Sequence, residues 1–177
     1  LRCIAAHRDL YENKKILHRD ISLRNMLLAE SYDSIAKPYR HGLLIDLDFA
    51  IKMSDAARRL SKGLRTGTVP FMAIDILLGI ATHDADHDLE SLFYVFCWIC
   101  ITRGGPGRSR KDFKFENSRL AKWAGNPTDT PDDIGCKKVA TVQAGYFELW
   151  ILKEFHPYFH GLRTCAMALR NILFPSG

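Results

Sequence analysis

Apolar residues at Leu1, Ile4, Ala5, Leu10 and Tyr11 match one face of a helix in part, predicting that element over residues 1 to 14. Three short runs of β type follow: KILHRD, NMLLAE and GLLIDLDFA. The polar, proline-containing stretch SYDSIAKPYRH separates the last two. From Asp75 onward the periodicity turns helical, with HDLESLFYVFCWICI at 87 to 101 as the longest apolar helix, closed by the breaker RGGPG. The loop GNPTDTPDD at 125 to 133 marks a second boundary. There Thr130 caps a helix that has Pro131 in its first turn and Asp133 near its positive end. That helix is expected to run through VATVQAGYFELWILKEF, and a last one through GLRTCAMALRNILF. The pattern predicts one mainly α unit with a few short β-strands and a polar, acidic site at its edge.

Composition narrows this. With 177 residues, 47% of them hydrophobic and 25% charged, the chain is long enough for one domain with a real core. The net charge of +5 is scattered apart from RGGPGRSRK at 103 to 111, which suits a solvated surface or an anionic small-molecule site better than a specific nucleic-acid footprint. Five cysteines, widely spread and odd in number, point to free thiols in a reducing, intracellular compartment, cytoplasmic or nuclear. Cys97 and Cys100 form a C-x-x-C inside the apolar run, but a zinc site needs about four converging ligands, so they read as helix core. The same run is shorter than the roughly twenty apolar residues a bilayer requires, so no membrane partner is expected. The chain opens on Leu1 in mid-pattern, as a fragment would, and nothing in it sets an oligomeric state.

Four features carry chemistry, in order: His18-Arg19-Asp20 with Asn25 five residues beyond the Asp, LLIDLD ending in Asp46 and Asp48, RTGTVPFMAID at 65 to 75, and HDLES at 87 to 91. Phosphoryl transfer needs metal ligands that neutralise phosphates and a carboxylate that holds the attacking hydroxyl. Mg²⁺ takes oxygen ligands, commonly one or two carboxylates, with phosphate and water completing its shell. Asp46 and Asn25 suit the metal, and Asp20 the hydroxyl.

HRDISLRN resembles the protein-kinase catalytic loop H-R-D-x-x-x-x-N, IDLD stands where kinases carry D-F-G, and GTVPFMAID resembles the end of the activation segment. HDLESLFYVF resembles the start of the central helix of the kinase C-lobe, in a form similar to casein kinase one. The combination is most similar to the fungal-specific protein kinases, densely over residues 7 to about 101 and more loosely in the tail at Trp123, Lys137-Lys138 and HPYF at 156 to 159.

The resemblance implies a protein-kinase-like C-lobe: helix 1 to 15, catalytic and metal-binding loops 16 to 50, activation segment 51 to 77, central helix 86 to 101 and helical subdomain 102 to 177. It implies ATP and Mg²⁺ as cofactors and a protein Ser or Thr hydroxyl as acceptor. Asp20 is then the catalytic base, Asn25 and Asp46 hold the metal, and Leu27 lies under the adenine. Arg19 contacts the activation segment, His18 sits beneath the site, and Thr68 hydrogen-bonds Asp20. Asp88 anchors the catalytic loop, and Asp75 stands for the Glu of A-P-E, with Arg163 or Arg170 as its partner.

There are departures. Ser22 replaces the usual loop Lys, as in the fungal family, and Arg24 sits where it supplies positive charge to the transferred phosphate. Leu47 and Asp48 replace Phe and Gly of D-F-G, which removes a permissive backbone position. No glycine-rich phosphate loop, strand Lys or pairing Glu precedes the motifs, so the N-lobe is expected to be absent and this chain alone to be incompetent. Asp48 reads as a second metal ligand or a local cap. His83, Asp84, Asp86 and His87 read as a metal cluster or an acid-rich helix start. Ser54, Ser61, Thr66 and Thr68 are candidate phosphoacceptors. Two other classes stay open, a small-molecule phosphotransferase of aminoglycoside or choline kinase type and a non-catalytic binding module.

Overall fold

The computed structural model describes residues 2–31, 39–55 and 65–175. Helix α1 (Arg2–Glu12) buries Cys3 and His7, which lie four residues apart on one face. A short strand β1 (Ile16–Leu17) pairs antiparallel with β4 (Ile51–Lys52), and β2 (Met26–Ser31) pairs with β3 (Tyr39–Leu44) in the register Met26↔Leu44, Leu27↔Leu43. Helix α1 lies so close against β3 that a Cβ on Gly42 would stand 2.6 Å from the main chain of both Arg2 and Cys3. Only glycine fits there without movement.

Helix α2 (Ile74–Leu77) and the long α3 (Ala85–Thr102) follow. Asp84 caps α3 by accepting from the main-chain N–H groups of Asp86 and His87, while the His87 ring accepts from Asp84 N. Because α3 is apolar almost all round, it is the element the others pack on. Phe93, Tyr94, Val95, Cys97, Cys100 and Ile101 are buried in a core with Trp123, Phe147, Ile151 and Phe155. The Tyr94 and Trp123 rings meet edge-on at 4.8 Å, and Trp123 Nε1 donates to Thr141 Oγ1 at 2.8 Å. The five cysteines are free, and burial pushes the Cys97 thiol up and that of Cys100 up to about 12. Such thiols stay protonated and inert. Among the described residues, no helix is long and apolar enough to cross a membrane.

The second half departs from the expected pattern twice. RGGPG is more than a breaker: β5 (Arg103–Gly105) and β6 (Arg108–Ser109) form a hairpin whose turn uses positive φ at Gly105 and Gly107. After the short α4 (Leu120–Ala124), α5 (Pro131–Val142) starts on a Thr130–Asp133 capping box but does not run on through Phe155. Gln143 is extended at ψ 138, and α6 (Ala144–Tyr146) leads into a π turn over Phe147–Ile151 and a 3-10 turn over Leu152–Glu154. Phe147 and Ile151, four residues apart across the π turn, both reach the core fully buried. Helix α7 (Arg163–Leu173) closes the chain against α3.

Candidate active site

The site is hung from one buried carboxylate. Asp88, in the first turn of α3 and wholly buried, accepts the main-chain N–H groups of His18 (2.9 Å) and Arg19 (3.0 Å). It also meets His83 Nε2 at 2.9 Å and His7 Nε2 at 3.3 Å. Burial alone would raise the Asp88 pKa, but the hydrogen bonds and charge of His7 and His83 more than offset that and hold it well below the usual carboxylate range. These bonds sustain a costly backbone: Arg19 sits at φ 68, in the left-handed region that residues with a Cβ avoid. This turn ends β1 after two residues instead of letting KILHRD run as one strand.

His18 ties this loop to the next. Its Nδ1 accepts from Asp20 N at 3.3 Å, which assigns the ring proton to Nε2, facing the carbonyl of Ile45 at 3.0 Å. Ile45 N in turn donates to Asn25 O at 3.0 Å. Asp46 follows directly at φ 63, exposed at the end of the β2–β3 ladder. The loops bearing Asn25 and Asp46 are thereby fixed side by side through main-chain bonds.

Both oxygens of Asp20 are engaged. Asn25 Nδ2 donates to Asp20 Oδ2 (3.0 Å) and to its main-chain carbonyl (2.8 Å), and Thr68 Oγ1 donates to Asp20 Oδ1 (2.8 Å). Thr68 O accepts from Phe71 N and Met72 N, which makes residues 68 to 72 a tight turn. Because the amide nitrogen of Asn25 is spent on Asp20, its Oδ1 remains for another donor or a cation. Asn25 Oδ1 and the Asp46 carboxylate are oxygen donors of the kind a hard cation takes, one carboxylate and one amide, with phosphate left to complete the shell. The donor set fits Mg²⁺.

Other expected residues lie elsewhere. Leu27 is 47% exposed on β2 beside Leu43, giving an apolar surface next to the acidic groups. Arg24 is exposed and forms no ion pair among the described residues. Asp48 is exposed in a turn, and no hydrogen bond to its carboxylate bears out the cap reading among the described residues. No group of three or more His, Cys, Asp or Glu able to hold a metal occurs among the described residues; Asp84 and His87 cap α3, and His83 serves Asp88. Ser54 is exposed, Thr66 is buried, and Ser61 lies outside the described residues.

The partner expected for Asp75 is corrected. Arg170 is buried and donates to Val142 O and Asn171 Oδ1, while Arg163 faces His160, so both guanidinium groups are committed away from Asp75, which is exposed. The segment is held instead by Glu90 and Lys138, which sequence reasoning missed. Glu90 Oε1 accepts from Ile74 N (2.9 Å) and Tyr94 OH (2.6 Å), and Lys138 Nζ donates to Met72 O (2.6 Å) and Val69 O (3.3 Å). The available signal was a helical stripe, Ile134, Lys138, Thr141 and Val142, in which a lysine occupies a buried position. His7 was missed likewise, although it shares the buried face of Cys3.

Residues 1–100 match a family model described as fungal protein kinase. No curated protein matches the chain.

Proposed function

The chain belongs to the fungal protein kinase family, and we propose that it is the C-terminal lobe of a kinase transferring the γ-phosphoryl group of ATP to a Ser or Thr hydroxyl of a protein. The observation that carries this reading is Asp20, a carboxylate gripped on one oxygen by Thr68 and on the other by Asn25, on a loop whose backbone hangs from Asp88. A base so restrained presents a fixed direction to a substrate hydroxyl, takes its proton as the new O–P bond forms, and needs no reorganisation during the step. Asn25 Oδ1 and Asp46 would hold Mg²⁺, which when bound neutralises phosphate charge. Leu27 and Leu43 offer the apolar surface on which an adenine would rest. Arg24, exposed at the loop, is free to approach phosphate oxygens, and Arg19 lies beneath the segment that carries Thr68. Five cysteines with no disulfide between them support a reducing, intracellular setting.

The test is nucleotide binding by calorimetry with and without Mg²⁺, alongside transfer of labelled phosphate to casein, in the natural full-length protein. Binding that strengthens with Mg²⁺ and loses that gain in Asp46→Asn is the expected result. Mg²⁺-independent binding with no transfer would replace the reading with a non-catalytic module.

A further inference from the structure

Lys138 is among the largest fully buried side chains, and its position is costly. Burial pushes its ammonium down to about 7, an effect Glu90 partly offsets, and burial likewise pushes the Glu90 carboxyl up. A charge withheld from water in this way is retained only where something holds it. What holds it here is main chain: Met72 O and Val69 O receive its hydrogens, and its Nζ stands 4.1 Å from the Tyr94 ring centroid. Tyr94 OH is committed to Glu90, and Glu90 to the N–H of Ile74.

The result is a clamp with two jaws. Lys138 reaches from α5 to two carbonyls at the front of residues 69 to 74, Glu90 reaches from α3 to the N–H at the back, and Tyr94 joins the jaws. The front carbonyl, Val69 O, belongs to the residue next to Thr68, whose hydroxyl touches Asp20. A displacement of Val69 therefore moves a hydrogen bond of Asp20.

We propose that Lys138 is a positioning residue: its grip on Val69 and Met72 sets the height of the segment that brings Thr68 to Asp20. The effect on turnover rests on the kinase reading; the effect on the segment does not.

The experiment uses the full-length protein and Lys138→Met, which keeps the apolar stem and removes the donor. Hydrogen exchange is measured by mass spectrometry, and transfer to casein is measured with kcat and KM for ATP determined separately. Removing charge-assisted hydrogen bonds is expected to speed exchange over residues 68 to 74 by at least about tenfold. Exchange in α3 and α7 should stay as in the parent, and kcat should fall while KM for ATP does not change. Unchanged exchange over 68 to 74 overturns the proposal, as does acceleration spread equally over α3 and α7, which marks Lys138 as general core. A kcat equal to the parent's alongside faster exchange overturns the link to Asp20. If the parent itself transfers no phosphate, the kinase reading fails while the exchange pattern still decides the positioning role. Should the Lys138→Met variant fail to fold, Lys138→Gln, whose amide ends one bond short of the Nζ position and cannot span both carbonyls, is judged by the same exchange patterns.

Discussion

Asp88 Oδ1 accepts the main-chain N–H of Arg19 at 3.0 Å across 69 residues of sequence, and with that bond the start of the longest helix fixes the backbone from which Asp20 projects. Asp88→Asn turns one of these acceptors into a donor that faces N–H groups in a buried place. Breaking a buried, hydrogen-bonded charge cluster in this way is expected to cost about 3–5 kcal/mol. Urea unfolding of parent and variant reads the difference; a loss well under about 1 kcal/mol would show that Arg19 keeps its left-handed backbone without Asp88.

The same carboxylate gives the fold an acid limit. The folded state holds the Asp88 pKa below its ordinary value of 3.8, so the unfolded chain binds the proton first as pH falls. The stabilisation is complete above pH 3.8 and is lost progressively below it. Melting temperature followed downward from about pH 6 should drop faster below about pH 4 in the parent than in Asp88→Asn. Parallel curves would remove Asp88 as the cause.

Thr68 links the distant segment to the site through a single hydroxyl. Thr68→Val keeps the shape and leaves Asp20 Oδ1 with one donor fewer, so turnover is expected to fall by about tenfold, the worth of one hydrogen bond to a charged group. Thermal stability should change little, since Thr68 is exposed. A turnover equal to the parent's would mean that Asp20 is oriented by Asn25 alone.

Gly42 tests how the first helix is seated. Any Cβ there meets main-chain atoms of Arg2 and Cys3 at 2.6 Å, and backbone cannot rotate aside as a side chain does. Gly42→Ala is expected to destabilise by about 1–3 kcal/mol, the usual range for overpacking. Denaturation midpoints read this, and an unshifted midpoint would place α1 away from β3.

How much of this was legible in the sequence depends on the range of each cause. Local chemistry was readable: Thr130 with Asp133, the apolar girth of 87 to 101 and the β2 run NMLLAE all follow from neighbours or period, whereas β3 begins at Tyr39 inside the stretch read as a separator and ends at Leu44. The meeting of Thr68 with Asp20 was implied by the resemblance to kinases and is present in the structure. Three things were not. Lys138 looks like any solvent-facing lysine until its stripe is laid against Tyr94 and the carbonyls of 69 and 72. The π turn at Phe147–Ile151 has no composition of its own: its apolar spacing is that of an ordinary helix face. The partner of Asp75 was sought among arginines, but Arg170 is consumed by the end of α5 at Val142 O.

Whether Asp20 is the base of a phosphoryl transfer is decided by following labelled phosphate from Mg-ATP to casein in the full-length protein and its Asp20→Asn variant. Asn keeps the size and an acceptor for Thr68 while abolishing proton uptake, so turnover is predicted to fall by about 10²–10⁴-fold with unchanged nucleotide affinity. Equal turnover by the two proteins would show that Asp20 takes no proton in the step.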